Sequence, residues 1–201
     1  MKTFFKTRKI RINLPIMIVI WMVTHYSLFL IQFVLPRFER IWLTAFCVNI
    51  SDMIGYVTAG PILYKFGPKY SLSGCFMLTF VGGVAIATFG LKYEQKWFFP
   101  ILVAIVKLGI AGSFQIIYIS HTWLFPTLFA ATAIGWLQFA ACIVSGLGAL
   151  QVNLSDSPLT PIITLTVLAL LSAILSLFLI AKNHSEDKKV SVNMSTLESL
   201  T

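Results

Sequence analysis

Six stretches of about twenty predominantly apolar residues follow one another along this 201-residue chain, separated by short polar breaks. One such stretch can be buried in the core of a soluble domain. Six cannot, because a soluble chain of this length needs a polar shell. Only 11% of its residues are charged and 58% are hydrophobic, against roughly a quarter charged in an ordinary soluble domain. About twenty apolar residues in a helix cross the roughly 30 Å hydrocarbon core of a bilayer. A helix also satisfies its own backbone hydrogen bonds where no water can. The pattern therefore predicts an all-α membrane protein, a bundle of six transmembrane helices.

The expected spans are 14–35, 41–63, 70–91, 97–118, 126–150 and 161–181, with the lipid bilayer as their partner. Residues 1–13 form a basic arm carrying Lys2, Lys6, Arg8, Lys9 and Arg11, and residues 182–201 a Ser-rich tail expected to be disordered. The first apolar run is too long for a signal-peptide core, and no small-residue cleavage site follows it. An even number of spans puts both termini on one side. Ten basic residues then share that side: the five of the arm, Lys65, Lys69, Lys182, Lys188 and Lys189. Arg37, Arg40, Lys92 and Lys96 lie on the other. The bias predicts cytoplasmic termini, and the plasma membrane is the expected location. The net charge of +8 is thus accounted for by span ends, and no nucleic-acid partner is expected. Trp42, Tyr93 and Trp97 fall at the outer boundary, where aromatic belts form. The sequon at Asn153 abuts a span end and is expected to be unmodified. Cys47, Cys75 and Cys142 lie inside spans and read as small core residues.

Two ionisable residues sit deep in these spans. Asp52 comes eleven residues after Ile41, and Lys107 ten after Trp97. Both spans run inward, so at 1.5 Å per residue both side chains lie roughly 15–17 Å deep. A charge there costs a few kcal/mol and normally faces a bundle interior or a water-filled cavity. The two are expected to pair, or to line one polar cavity. Two readings follow: an ion pair that only holds the bundle together, or a substrate or coupling-ion site. Tyr26, Asn49, Gln115 and Gln138 join them as candidate cavity residues, with Gln32 and Tyr118 as further hydrogen-bonding groups and His25 as a proton-coupling candidate. Span five is rich in Ala and Gly, which let helix backbones approach closely in lipid. No catalytic constellation, metal-ligand cluster or phosphate loop is visible, so neither an enzyme nor a cofactor or metal site is expected.

The stretch from Lys107 to Gly135, KLGIAGSFQIIYISHTWLFPTLFAATAIG, resembles the tenth and eleventh segments of the organic cation/anion/carnitine transporter family of the major facilitator superfamily. Lys107, Gly109, Phe114, Tyr118, Leu124, Phe125, Pro126, Thr127 and Gly135 carry the match. A second stretch, DMIGYVTAGPILYKFGPKY, is similar to the family's eighth segment and the basic turn after it, with Asp52 at an acidic position and Lys65, Phe66, Gly67 and Lys69 in the turn.

The resemblance implies the C-terminal half of a twelve-span carrier that moves a small organic ion or solute by alternating access. Asp52 and Lys107 would charge the cavity, and Lys65, Gly67 and Lys69 would form the cytoplasmic gate turn. It also implies a second six-helix half as partner, either a missing N-terminal portion or another chain; the chain is expected to be a fragment. The departures are Trp123 for a glutamate, Ala130 for an arginine, Tyr64 and Pro68 for charges of the turn, and Cys142 where the family places a substrate-facing charge. They leave the substrate's charge open. They also motivate the alternative of a non-transporting assembly partner or transporter remnant.

Overall fold

The computed structural model of the protein describes residues 8–38, 40–90, 97–124, 127–157 and 159–180, with side chains at 12–38, 40–89, 97–122, 131–157 and 159–180. Most of the arm, the tail, Tyr93, Lys92, Lys96, Phe125 and Pro126 lie outside the described residues. So do the side chains of Trp123 and Ala130.

All described elements are helical. They are α1 (Arg8–Val34), α2 (Ile41–Ala85), α3 (Phe99–Leu124), α4 (Thr127–Leu154) and α5 (Leu159–Ser176), with a 3-10 turn at Leu35–Arg37 and a π turn at Ile86–Gly90. Among the described residues, five helices are long and apolar enough to cross a membrane. The count is five, not the six expected, because the break predicted between residues 63 and 70 is a tight kink at Gly67 with no loop on either side of it. α2 carries both expected spans through one 45-residue element.

A straight helix of that length would reach about 68 Å, more than twice the hydrocarbon core. α2 is not straight. At Gly67 the backbone leaves helical geometry for φ 76° and ψ 168°. That region is open to glycine and strained for residues with a Cβ. Ser71 Oγ then donates to the Ile62 carbonyl 3.2 Å away, nine residues back across the break. A Cβ added at Gly55 would meet Ala111 of α3 at 2.9 Å, while one added at Gly109 would meet the Cys75 carbonyl oxygen at 2.6 Å. Residues 55 and 75 would be about 30 Å apart along a straight helix. Both reach the same turn of α3, so α2 doubles back and lays two arms against it.

Other boundaries also move. α1 begins before residue 14, with Pro15 tolerated inside it. α3 continues through the expected polar break to Leu124, because Ser120 and His121 are buried against the bundle rather than exposed in a turn. α4 runs four residues past its predicted end, and α5 stops at Ser176.

The core divides into two apolar clusters. The first includes Met17, Trp21, Ala59, Leu63, Phe76, Ile116, Ala141 and Ala173. The second includes Tyr26, Leu30, Val48, Ile86, Val106, Ile110, Val152 and Leu165. Two clasps tie the chain at opposite ends. Asn13 exchanges hydrogen bonds with the backbone of Ile180, its amide donating at 2.9 Å and its oxygen accepting at 3.0 Å. This puts the start of α1 and the end of the described chain at one end of the bundle. At the other end the Arg37 guanidinium donates to the Ser155 carbonyl at 2.7 Å and to that of Val152. These are acceptors at the C-terminus of α4, whose last carbonyls lack helical partners.

Candidate functional site

Between the two apolar clusters the bundle is polar. Thr24 and His25 of α1, Ser51 and Thr79 on the two arms of α2, Ser113 of α3 and Ser172 of α5 are all buried there. Four of these hydroxyls satisfy themselves on their own helix: Thr24 on Ile20, Ser51 on Cys47, Thr79 on Cys75 and Ser113 on Ile110. On α2 the seam falls between Val48 and Ala59, which is where Asp52 stands. On α3 it falls between Ile110 and Ile116, within reach of the four-carbon side chain of Lys107.

The expectation that these two residues meet is fulfilled. Lys107 Nζ lies 3.6 Å from Asp52 Oδ2. That is an ion pair by distance, yet longer than the 2.7–2.9 Å of a charge-assisted hydrogen bond. Lys107 Nζ and Asp52 Oδ1 are both buried without a hydrogen-bond partner. The two sides of the pair differ. The lysine side chain is 1% exposed and the aspartate 20%, so the aspartate is the less enclosed of the two, although its Oδ1 is buried.

One to two helical turns from this pair along α2 and α3 stands an aromatic group that single-residue reasoning missed. Phe114 of α3 is its hub, with ring centroids of Trp21 at 5.2 Å, His25 at 5.4 Å, Tyr56 at 6.3 Å and Tyr118 at 6.4 Å. Trp21 and His25 stand one turn apart on α1, and His25 Nδ1 lies 3.2 Å from the Trp21 carbonyl. Trp21 Nε1 is buried without a partner. Helical spacing could have found this group. Tyr56 follows Asp52 by four residues, Phe114 follows Lys107 by seven, and Tyr118 follows Phe114 by four, so each aromatic shares a face with a charge or with the next ring.

The other predicted cavity residues are dispersed. Tyr26 is buried in the second cluster with its ring beside Gly148. Asn49 is exposed and its amide donates to the Ala45 carbonyl of its own helix. Gln115 is half-buried. Gln138 is exposed on α4, its amide 3.9 Å from Cys142 Sγ. Gln32 is exposed on α1. Of the turn residues, Lys65 is exposed and Lys69 half-buried, while Gly67 is buried at the reversal.

Chemically, the seam offers an ammonium and a carboxylate with unfilled hydrogen-bonding capacity, beside several aromatic faces. Such a set can hold an organic ion: a carboxylate and aromatic rings attract a cation, and a buried ammonium attracts an anion.

No family model matches the chain. Comparison with curated proteins does find relatives. The chain is 27% identical over 177 residues to solute carrier family 22 member 4 of Mus musculus, covering 87% of this chain and 32% of that protein. It is 26% identical over 176 residues to organic cation/carnitine transporter 2 of Rattus norvegicus, covering 86% and 31%. Solute carrier family 22 member 21 of Mus musculus is similar at the same 26%. Its curated homologues are organic cation/carnitine transporters of solute carrier family 22. The chain spans about a third of the length of these relatives. The resemblance seen in the two motifs therefore extends over most of the chain, and with the apolar helices it supports an integral multi-pass membrane protein.

Proposed function

We propose that this chain is one half of a facilitator-type secondary carrier for a small organic ion, working by alternating access together with a second six-span half. The observation that carries the reading is the Asp52–Lys107 pair. A purely structural pair is expected to close to hydrogen-bonding distance, since taking two charges out of water is repaid only with good geometry. This one stays at 3.6 Å with buried valences unfilled, on the polar seam and beside an aromatic group. In carriers of this general build, substrate binds near the bilayer midplane between two repeats. Lys65, Gly67 and Lys69 form the turn at the inner end, and both termini are assigned to the cytoplasmic side of the plasma membrane on the positive-inside bias.

The test is uptake of labelled organic cations and of zwitterionic ammonium carboxylates into proteoliposomes. The chain is reconstituted alone and with the N-terminal half of a relative. Transport only in the combined sample, lost in Asp52→Asn and Lys107→Gln at unchanged protein level, supports the proposal. Variants that lose stability but keep their turnover per folded molecule would reduce the pair to a structural element. The replacement of gate charges by Trp123 and Ala130 favours a second reading, a non-transporting assembly partner. That reading predicts no uptake in either sample, together with co-purification of a full-length carrier.

A further inference from the structure

α4 packs mainly on α1, while α5 packs mainly on α2 and less on α1; the two meet at the Gln151–Thr164 hydrogen bond and leave a crevice between them. Its volume is about 440 Å³. Val19, Met22 and Val23 of α1 form the floor, with Val144 and Leu147 on the α4 wall and Leu168 on the α5 wall. Val19 and Leu147 are 46% and 54% exposed, so the crevice is open sideways, toward the acyl region of a bilayer. Its polar groups are collected at one end. There Gln151 Nε2 donates to Thr164 Oγ1 at 2.7 Å, and Thr164 Oγ1 donates to the Thr160 carbonyl at 3.0 Å. Tyr26 also lines the crevice, on the α1 side.

The order of these groups matches an amphiphile standing upright in a membrane. A neutral hydrogen-bonding rim lies near the end of the bundle, and an apolar slot runs inward. From Gln151 to Val144 the slot is about 10 Å long. All the lining side chains are uncharged and the nearby Arg37 guanidinium is engaged by the Ser155 and Val152 carbonyls, so the rim suits a neutral hydroxyl. A rigid apolar body also loses less conformational entropy than a flexible chain on entering a fixed slot.

We propose that the crevice between α4 and α5 is a sterol site, the sterol hydroxyl engaging the Gln151–Thr164 pair and the ring system lying along Val144 and Val19. The proposal does not depend on the chain transporting anything.

The experiment is photolabelling of the full chain in phosphatidylcholine nanodiscs with a diazirine-bearing sterol, against a diazirine-bearing phosphatidylcholine as comparator. The expected result is sterol labelling on α1, α4 and α5 crevice peptides that unlabelled sterol competes away. Val144→Trp fills the slot and should reduce labelling at least about fivefold. Thr164→Val keeps the shape, removes the hydroxyl and should reduce it about threefold, as loss of one hydrogen bond does. Val167→Trp, on an exposed part of α5 outside the crevice, should leave it unchanged. Equal labelling of Val144→Trp, or equal capture of the phospholipid probe in the crevice, overturns the proposal. If Val144→Trp does not fold, Thr164→Val and the map of labelled peptides decide: undiminished labelling of Thr164→Val, or label outside the crevice, overturns it as well.

Discussion

α3 and α4 are neighbours in sequence, both apolar and both punctuated by small residues, yet the bundle uses them in opposite ways. On α3, Gly109 lies so close to the second arm of α2 that an added Cβ would meet Cys75, and Ala111 faces Gly55 of the first arm just as closely. On α4, Gly135 and Gly146 face open space. Of the apolar window of α3, 56% is buried inside the bundle, against 17% for α4. Sequence composition pointed to α4 as the close-packing helix. The difference teaches that small residues give only the capacity for backbone approach. In lipid there is no hydrophobic drive between helices, so the approach occurs where another small residue faces them and a polar group needs burying. α3 has both conditions, in the two arms of α2 and in Lys107. α4 leans on α1, and its C-terminal end is held by Arg37.

This contrast can be tested by unfolding measurements in detergent. Lys107→Met should do the most damage, lowering stability by about 3 kcal/mol, since removing one partner strands the other charge in the bundle. Its partial exposure keeps Asp52 at the low end of that range. The double variant with Asp52→Asn should recover most of the loss. If it does not, packing rather than charge holds α3 in place.

Gly109→Ala should follow at about 2 kcal/mol, the usual scale of overpacking. The same change at Gly135 should be neutral or slightly stabilising, by up to about 1 kcal/mol, because alanine is the better helix former. Equal effects at the two sites would abolish the distinction between the helices. Arg37→Ala should cost about 1 kcal/mol, the net worth of hydrogen bonds at an exposed site. Hydrogen exchange should rise in the last turn of α4 and stay unchanged in α3. A rise in both would mean that the Arg37 clasp supports the whole bundle.

Much of the candidate site was legible from depth alone. Counting residues from the span starts placed Asp52 and Lys107 at one level, and they do pair. The aromatic group was written in intervals of four and seven, but it draws on three helices and becomes a group only when α1 and α2 dock beside Phe114. Tyr26, Asn49 and Gln138 were selected for polarity and proved to be spread over different faces. Polarity says nothing about azimuth until the neighbours are known. The helix ends were least legible. Ser120 and His121 look like turn residues by type, but burial in the bundle keeps α3 helical through them.

Hydropathy belongs to each residue separately. The sequence by itself therefore determined that the chain lies in a membrane as helices, roughly where those helices run, and that its two stranded charges share one level. Tertiary structure decided what depends on pairs: the docking of both arms of α2 on one turn of α3, the choice of α3 over α4 as the packed centre, and the unfilled valences of Lys107 and Asp52. Those outcomes rest on which surface meets which, and the interaction of two surfaces is a property of neither alone.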